Sequence, residues 1–399
     1  MRWFTGFIFH KMAFGLLSVL LPLYITQTVS GGSLTVWGII TSTATFLAIP
    51  FSFLWGYLCD LSQHYRFFIL TSFGAITALL YVFSVTTDLF MLGLLYALIV
   101  ILQVAHEPPK NVLLAETHSH VDWKQGFARY EFLTRLGWVI GLLLGFLLAT
   151  LSLDNATLLL ISVFPSLISF LASTIFLKDP PLISERGLVS IEKSISLVHR
   201  GARLFSKLDS GAHVWDELKQ ENASALYMGL VFFSLASSIF FTPLPLFFAR
   251  NLALQTSIIF ILHLLMSASC CLGYFLTQRM ADNLEANRLV SKISLLRSLL
   301  VLLPILAVVS PLVVAIALSI SVLIALGLAA AFYSVSVLSL SMEVMPRGKA
   351  GLFTALVGTG SAIGCLVGPF VAESFGFQYT FIMSSACFIL SFLAFKEFT

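Results

Sequence analysis

Four ionisable residues stand at spacings that invite chemistry. Glu107 and Lys110 are three apart, and Glu131 and Arg135 are four apart. On a helix those separations place side chains on one face. All four lie in strongly apolar surroundings. A charged side chain at the centre of a membrane helix costs roughly 2.5–3.5 kcal/mol on insertion scales, so such groups pair, line a cavity or move protons. If 89–115 and 125–151 are helices joined by a loop centred near residue 121, they form an antiparallel hairpin. Glu107 and Arg135 then lie about 14 residues from the turn, and Lys110 and Glu131 about 10–11, which sets each pair at one depth. The spacing therefore predicts two opposite-charge pairs stacked on facing helices. They read either as buried salt bridges clamping the hairpin, or as groups that exchange partners with substrate or proton. His106 adds a titratable neighbour, and Pro108-Pro109 removes backbone donors in the same turn and predicts a kink.

Other ionisable candidates are fewer. His10 and Lys11 come early in the first apolar stretch, where Lys11 either snorkels to headgroups or serves a site. His263, in a later stretch, is either a hydrogen-bonded core histidine or a coupling group. Arg297 is expected near a helix end, snorkelling. This distribution concentrates charge handling in the N-terminal half and leaves the C-terminal half for hydrophobic substrate contacts. The excess of Lys and Arg over Glu within the apolar stretches leaves room for a small organic anion. Aromatic richness favours an amphipathic or lipophilic substrate.

The elements that must position these residues follow from hydropathy. Apolar stretches long enough to cross a bilayer core of about 30 Å recur through the chain. The expected spans are 5–28, 34–60, 66–86, 89–115, 125–151, 155–177, 224–249, 254–279, 290–309, 312–342, 349–372 and 376–396. The first, from about Trp3 to Thr28, is too long for a signal-peptide core and reads as a span. Charged residues make up only 10% of the chain, against about 25% in soluble domains, so an ordinary solvated surface is excluded. Mean hydropathy is +0.98. The fold class is thus all-α membrane protein, about 12 transmembrane helices in two six-helix bundles. The expected division is an N-terminal bundle over 1–177, a linker over 178–222 and a C-terminal bundle over 223–399. In the linker Ile191, Ile195, Val198, Ala202, Phe205 and Leu208 recur at steps of three and four with basic residues off the stripe. This predicts a basic amphipathic helix, either a tether on the anionic leaflet or a docking helix.

Loop charge sets orientation. Arg66, Lys124, Arg186, Arg200, Arg288 and Arg347 fall on one side, and the other side holds Arg250 with Asp88, Asp154 and Glu373. The positive-inside rule places both termini and the linker in the cytoplasm, in a cell (plasma or inner) membrane. The cysteines, Cys59, Cys270, Cys271, Cys365 and Cys387, show no metal or disulfide spacing and read as small apolar residues. No metal or cofactor is expected, and no basic face suggests nucleic acid.

The halves echo each other. Leu20-Leu21-Pro22-Leu23-Tyr24 resembles Pro243-Leu244-Pro245-Leu246-Phe247. Glu116 precedes Gly137 and Gly141 by the same intervals at which Glu343 precedes Gly364 and Gly368. Glycines four apart let helix backbones approach closely. Gly56, Leu58 and Asp60 match the signature Gly-x-Leu-x-Asp-Arg-x-Gly-Arg-Arg of the major facilitator superfamily, while Leu61, Gln63 and His64 depart from it and Arg66 lies one place beyond the basic pair. Pro109…Ala115-Glu116 and the 343–349 loop are also similar to that family's patterns. The C-terminal counterpart of the first motif is poor, with Thr277 where an Asp belongs.

The resemblance implies a secondary transporter working by alternating access around a mid-membrane site. It implies that Gly56 and Asp60 meet the start of span 11 near Gly351, and that Arg66, Glu116 and Arg129 complete a cytoplasmic latch. The function expected is transport of a small organic molecule, proton-coupled, with export favoured, by a monomer in the lipid bilayer. The alternatives are an uncoupled facilitator or amphiphile transporter, and a transport-inactive sensor or scaffold acting through the linker. No nucleophile triad, metal cluster or phosphate loop points to an enzyme, and Gly358-Thr359-Gly360 inside a span reads as helix packing.

Overall fold

The computed structural model describes residues 3–117, 123–151, 153–179, 223–280, 286–344 and 350–398. The amphipathic stretch of the linker lies outside them. The described residues are all-α, with no strand among them. Among the described residues, twelve helices are long and apolar enough to span a bilayer. They are α1 Phe4–Thr28, α2 Leu34–Ser62, α3 Tyr65–Val85, α4 Leu89–Leu114, α5 Arg129–Thr150 and α6 Asn155–Phe176. The second set is α7 Ser224–Arg250, α8 Thr256–Thr277, α9 Arg288–Val309, α10 Leu312–Val337, α11 Phe353–Ser374 and α12 Phe377–Phe398.

Local chemistry sets the helix ends. Asp88 accepts from Met91 N at 2.8 Å and caps α4, Asp154 accepts from Thr157 N at 3.3 Å and caps α6, and Ser33 caps α2 through Val36 N. These three starts share one side of the molecule. Acids there satisfy free amides and the positive end of the helix dipole. The Thr157 hydroxyl and amide hold the Asp154 carboxyl below the usual carboxylate range.

Prolines set the interruptions. Pro22 lies in the last regular turn of α1, which continues as a π turn over Tyr24–Thr28. In α7 the helix pauses at Thr242-Pro243 and resumes at Leu244, so the echoed Leu-Pro-Leu motifs interrupt equivalent helices. In α4 the helix stops after Ala105, turns at His106 and restarts at Glu107. Pro108 and Pro109 cannot donate to the carbonyls four residues back.

Packing repeats under a shift of six helices. In the first half α1 packs on α5 and α6, α2 on α4, and α3 on α4 and α6. In the second, α7 packs on α11 and α12, α8 on α10, and α9 on α10 and α12. Between the halves α2 meets α11 and α8 meets α5, two seams that exchange under the same shift. Detail follows the rule. A methyl on Gly137 or Gly141 would strike the backbone at Ile8 or Met12 of α1, and one on Gly364 or Gly368 would strike Leu235 or Ile239 of α7. Ser169 Oγ donates to Gly6 O at 2.8 Å, and Ser391 Oγ donates to Gly229 O at 2.9 Å.

Candidate functional site

The break in α4 organises the polar centre of the first half. Trp55 Nε1 donates to Ile101 O at 3.1 Å and Ser72 Oγ to Leu102 O at 2.7 Å, so α2 and α3 stitch the last turn before the break. His106, fully buried, sits at the turn itself. Its Nδ1 lies 3.2 Å from Ser72 Oγ. The serine proton is committed to Leu102 O, so Ser72 must accept here and Nδ1 must carry the histidine proton. That leaves Nε2 as the bare lone pair. It has no hydrogen-bond partner and points toward Glu107 Oε1 at 3.7 Å.

Glu107 opens the helix that follows the break. Its other oxygen contacts the ammonium of Lys110 one turn on. The two differ in exposure. Lys110 is 5% exposed, while the Glu107 side chain is 40% exposed, so the carboxylate faces accessible space and the ammonium faces the interior. Lys110 Nζ also lies 5.3 Å above the Tyr130 ring, a favourable site for a cation. Tyr130 in turn packs edge-on against Phe4 and Phe7.

His10 closes the other side. It is fully buried, its ring is stacked on Phe73 at 4.4 Å and stands edge-on to His106 at 4.8 Å, and neither ring nitrogen has a partner. Lys11, next in sequence and half-buried, lies within electrostatic range of Glu107, Lys110, Glu131 and Arg135. It is turned inward, so the snorkelling expectation is corrected.

The stacked pairing of α4 against α5 is corrected as well. Beyond their shared end the two helices scarcely touch, because α4 leans on α2 and α3 while α5 leans on α1 and α8. Equal depth therefore does not bring Glu107 to Arg135. Lys11 of α1 lies within electrostatic range of both. Glu131 and Arg135 belong instead to the seam between the halves: Arg135 lies within electrostatic range of Tyr274 and Cys270 of α8 and of Glu131, and sits 5.8 Å from the Trp138 ring.

The remaining candidates are dispersed. His263 is buried in α8, with Nδ1 3.0 Å from Ile259 O on its own helix, apart from the first-half cluster. Gly56 has open space beside it, its nearest side chain being Pro108. Asp60 is half-buried at the end of α2. Its expected partner helix start near Gly351 and the side chain of Glu116 lie outside the described surroundings. Arg66 is engaged within the first half, with its amide on Asp179 Oδ1 at 2.7 Å and its guanidinium donating to Thr174 O at 2.8 Å. Arg129 is exposed. Sequence reasoning missed Ser72, Tyr274 and the inward face of Arg297. Arg297 is 4% exposed, so its snorkelling expectation is also corrected. The signal was present: Val290, Ser294, Arg297 and Val301 recur at helical spacing and all are buried.

Comparison with known proteins agrees with this architecture. The Major Facilitator Superfamily profile matches residues 3–369. Among solved structures, a partially occluded inward-open conformation of the xylose transporter XylE from E. coli superposes with TM-score 0.68 at 12% identity, covering 100% of this chain and 97% of that one. A POT family transporter in complex with 5-aminolevulinic acid gives TM-score 0.72 at 13% identity, covering 98% of this chain and 94% of that one. At such identities the likeness concerns the fold. No curated protein sequence matches the chain significantly.

Proposed function

The chain belongs to the Major Facilitator Superfamily, and from that premise we propose that it is a proton-coupled secondary transporter of a small organic molecule, with export favoured. One observation carries the coupling: His106 Nε2 and Glu107 Oε1 face each other at 3.7 Å as two bases, with the histidine proton already committed at Nδ1 toward Ser72. Two lone pairs held together in an interior repel unless a proton sits on one of them. The position is therefore a proton site whose occupancy depends on what else neutralises Glu107. Lys110 and Lys11 compete for the same carboxylate. A substrate that draws either ammonium away leaves Glu107 to take a proton, and a substrate that returns it releases that proton. The exposed carboxylate face supplies the path to water. Alternating exposure of this site to the two sides would make proton and substrate movement one cycle.

The test is proton flux. Liposomes holding the purified full-length protein and a pH-reporting dye are exposed to a panel of small organic acids, amines and neutral compounds under an imposed pH gradient. A compound that drives dye-reported proton movement in wild type and not in Glu107→Gln supports the assignment. Proton movement undiminished in Glu107→Gln removes it, and compound movement without protons points to a facilitator.

A further inference from the structure

Among the described residues of the second half, one buried cation is not used by the cycle above. The Arg297 guanidinium is buried among α7, α10 and α12. Its hydrogen bonds are long: Nη1 to Ser237 Oγ at 3.3 Å and Nη2 to Leu326 O at 3.4 Å. The Nε has no partner. The rest of its surroundings are ring faces, Phe233 at 4.9 Å and Phe388 at 5.9 Å. Among the described residues, the ionisable groups that reach it electrostatically are Tyr333 and Cys270, neither of them a carboxylate. A full charge kept in an interior with no counter-ion is costly. Ring faces offset only part of that cost.

Arg297 is not isolated from the first half. Cys270 lies within electrostatic range of both Arg297 and Arg135. Tyr274, one turn along α8, lies within electrostatic range of Cys270, Glu131 and Arg135. Tyr333, next to Ser334, stacks on Phe233 at 3.4 Å beside Arg297. Tyr333 is half-buried. The polar interior thus runs across the α5–α8 seam with a guanidinium at each end. Its charges do not balance. Among the described residues, Lys11, Lys110 and Arg135 share the surroundings of Glu107 and Glu131, three cations against two carboxylates, and Arg297 stands apart from both carboxylates.

We propose that Arg297, with Arg135 across the seam, forms an anion subsite on the transport path and that the substrate is a small organic anion with an apolar body. This rests on the reading of the protein as a small-molecule transporter and supplies its substrate class. The guanidinium fork suits a carboxylate, because two parallel donors meet two oxygens and the free Nε gains a partner. The apolar body meets the aromatic walls that already flank the site. Bringing an anion there relieves the uncompensated charge, so binding is favoured by a defect of the empty state.

The experiment measures thermal unfolding of the purified full-length protein against matched probes: benzoate and octanoate, benzamide and octanamide, and benzylammonium. The expected result is a midpoint raised by about 2 °C or more by the carboxylates alone, since a ligand bound to the native state adds stability. Arg297→Gln loses that shift, and Arg297→Lys keeps a reduced one because the charge remains without the fork. Equal shifts from amides or the ammonium overturn the proposal, as does an undiminished carboxylate shift in Arg297→Gln or no shift from any probe. Should Arg297→Gln fail to fold, Arg297→Lys decides alone, a shift equal to wild type counting against the fork. Proton flux separates the two readings. Shifts from neutral probes that also move protons leave coupling standing without the anion subsite. An Arg297-dependent carboxylate shift without proton movement leaves the subsite standing without coupling.

Discussion

Glu107 answers to two kinds of partner, a buried ammonium and a buried imidazole, and the difference in exposure predicts how each substitution behaves. Lys110 is the interior member, so removing Glu107 strands an ammonium that is 5% exposed. Breaking a fully buried pair costs about 3–5 kcal/mol. The 40% exposure of Glu107 lets water replace part of what is lost, so Glu107→Ala should destabilise by about 1–3 kcal/mol. Glu107→Ala combined with Lys110→Met should cost less than the two changes summed, because the stranded charge leaves with its partner. Chemical unfolding of the four variants in detergent checks this, and strict additivity would mean that the contact carries no energy. A second residue-scale prediction concerns Gln63. It adopts φ 54°, the left-handed region, where α2 ends. The family signature has Gly at that position, and the conformation explains why. Gln63→Gly should stabilise the protein by about 1 kcal/mol, since a side chain there pays roughly that steric penalty. An unchanged or lowered unfolding midpoint would mean that the Gln63 side chain makes up for its strain.

At the scale of elements, hydropathy and proline chemistry made the spans and the α4 break legible. Twenty apolar residues between polar ends leave a helix few choices, and Pro108-Pro109 removes two donors wherever the chain goes. Azimuth was not legible. The hairpin argument measured depth along α4 and α5 and assumed that consecutive helices face one another, whereas α5 turns its faces to α1 and α8. Depth survives that error, which is why Glu107, Lys110, Glu131 and Arg135 share one electrostatic neighbourhood through Lys11. Arg297 was misplaced for a related reason: a long flexible stem is compatible with the interface by composition, and only its register with Val290, Ser294 and Val301 turns it inward. The glycines carried more information than the charges, because their shared intervals encode a backbone contact. Gly141→Val and Gly368→Val place a side chain against α1 and α7 at equivalent points. Each should destabilise by about 1–3 kcal/mol or more, by similar amounts. Unfolding midpoints of the two variants check it; a large effect in one half and none in the other would show that the equivalence is only geometric.

For the whole molecule, the contrast between packing within the halves and between them bears on how it moves. Inside each half, serines bond across helices to backbone carbonyls, as Ser169 does to Gly6 and Ser384 to Ala236, and glycines seat against backbone. Across the seams, glycines meet both backbone and side chains: Gly38 meets Cys365 O and Pro369, Gly358 meets Ile49, and Gly145 meets Phe260. The polar ties there include Thr35 N donating to Glu373 Oε2 at 2.7 Å and a weak Cys271 contact to Phe132 O at 4.0 Å. Two seams that exchange under the six-helix shift suit rigid halves rocking about a fixed site. The Thr35–Glu373 tie joins the α2–α11 seam at the end remote from both termini. Thr35→Cys with Glu373→Cys, in a Cys365→Ser background, would let oxidation lock that end. If the halves rock, oxidation stops proton-linked transport and a reductant restores it, while the unlocked double variant remains active. Liposome flux before and after reduction reads the outcome. Full activity in the oxidised protein, with the cross-link verified by mass, would mean that this seam stays shut throughout the cycle and that access changes elsewhere, leaving the α5–α8 seam, with Arg135 at its centre, as the moving part.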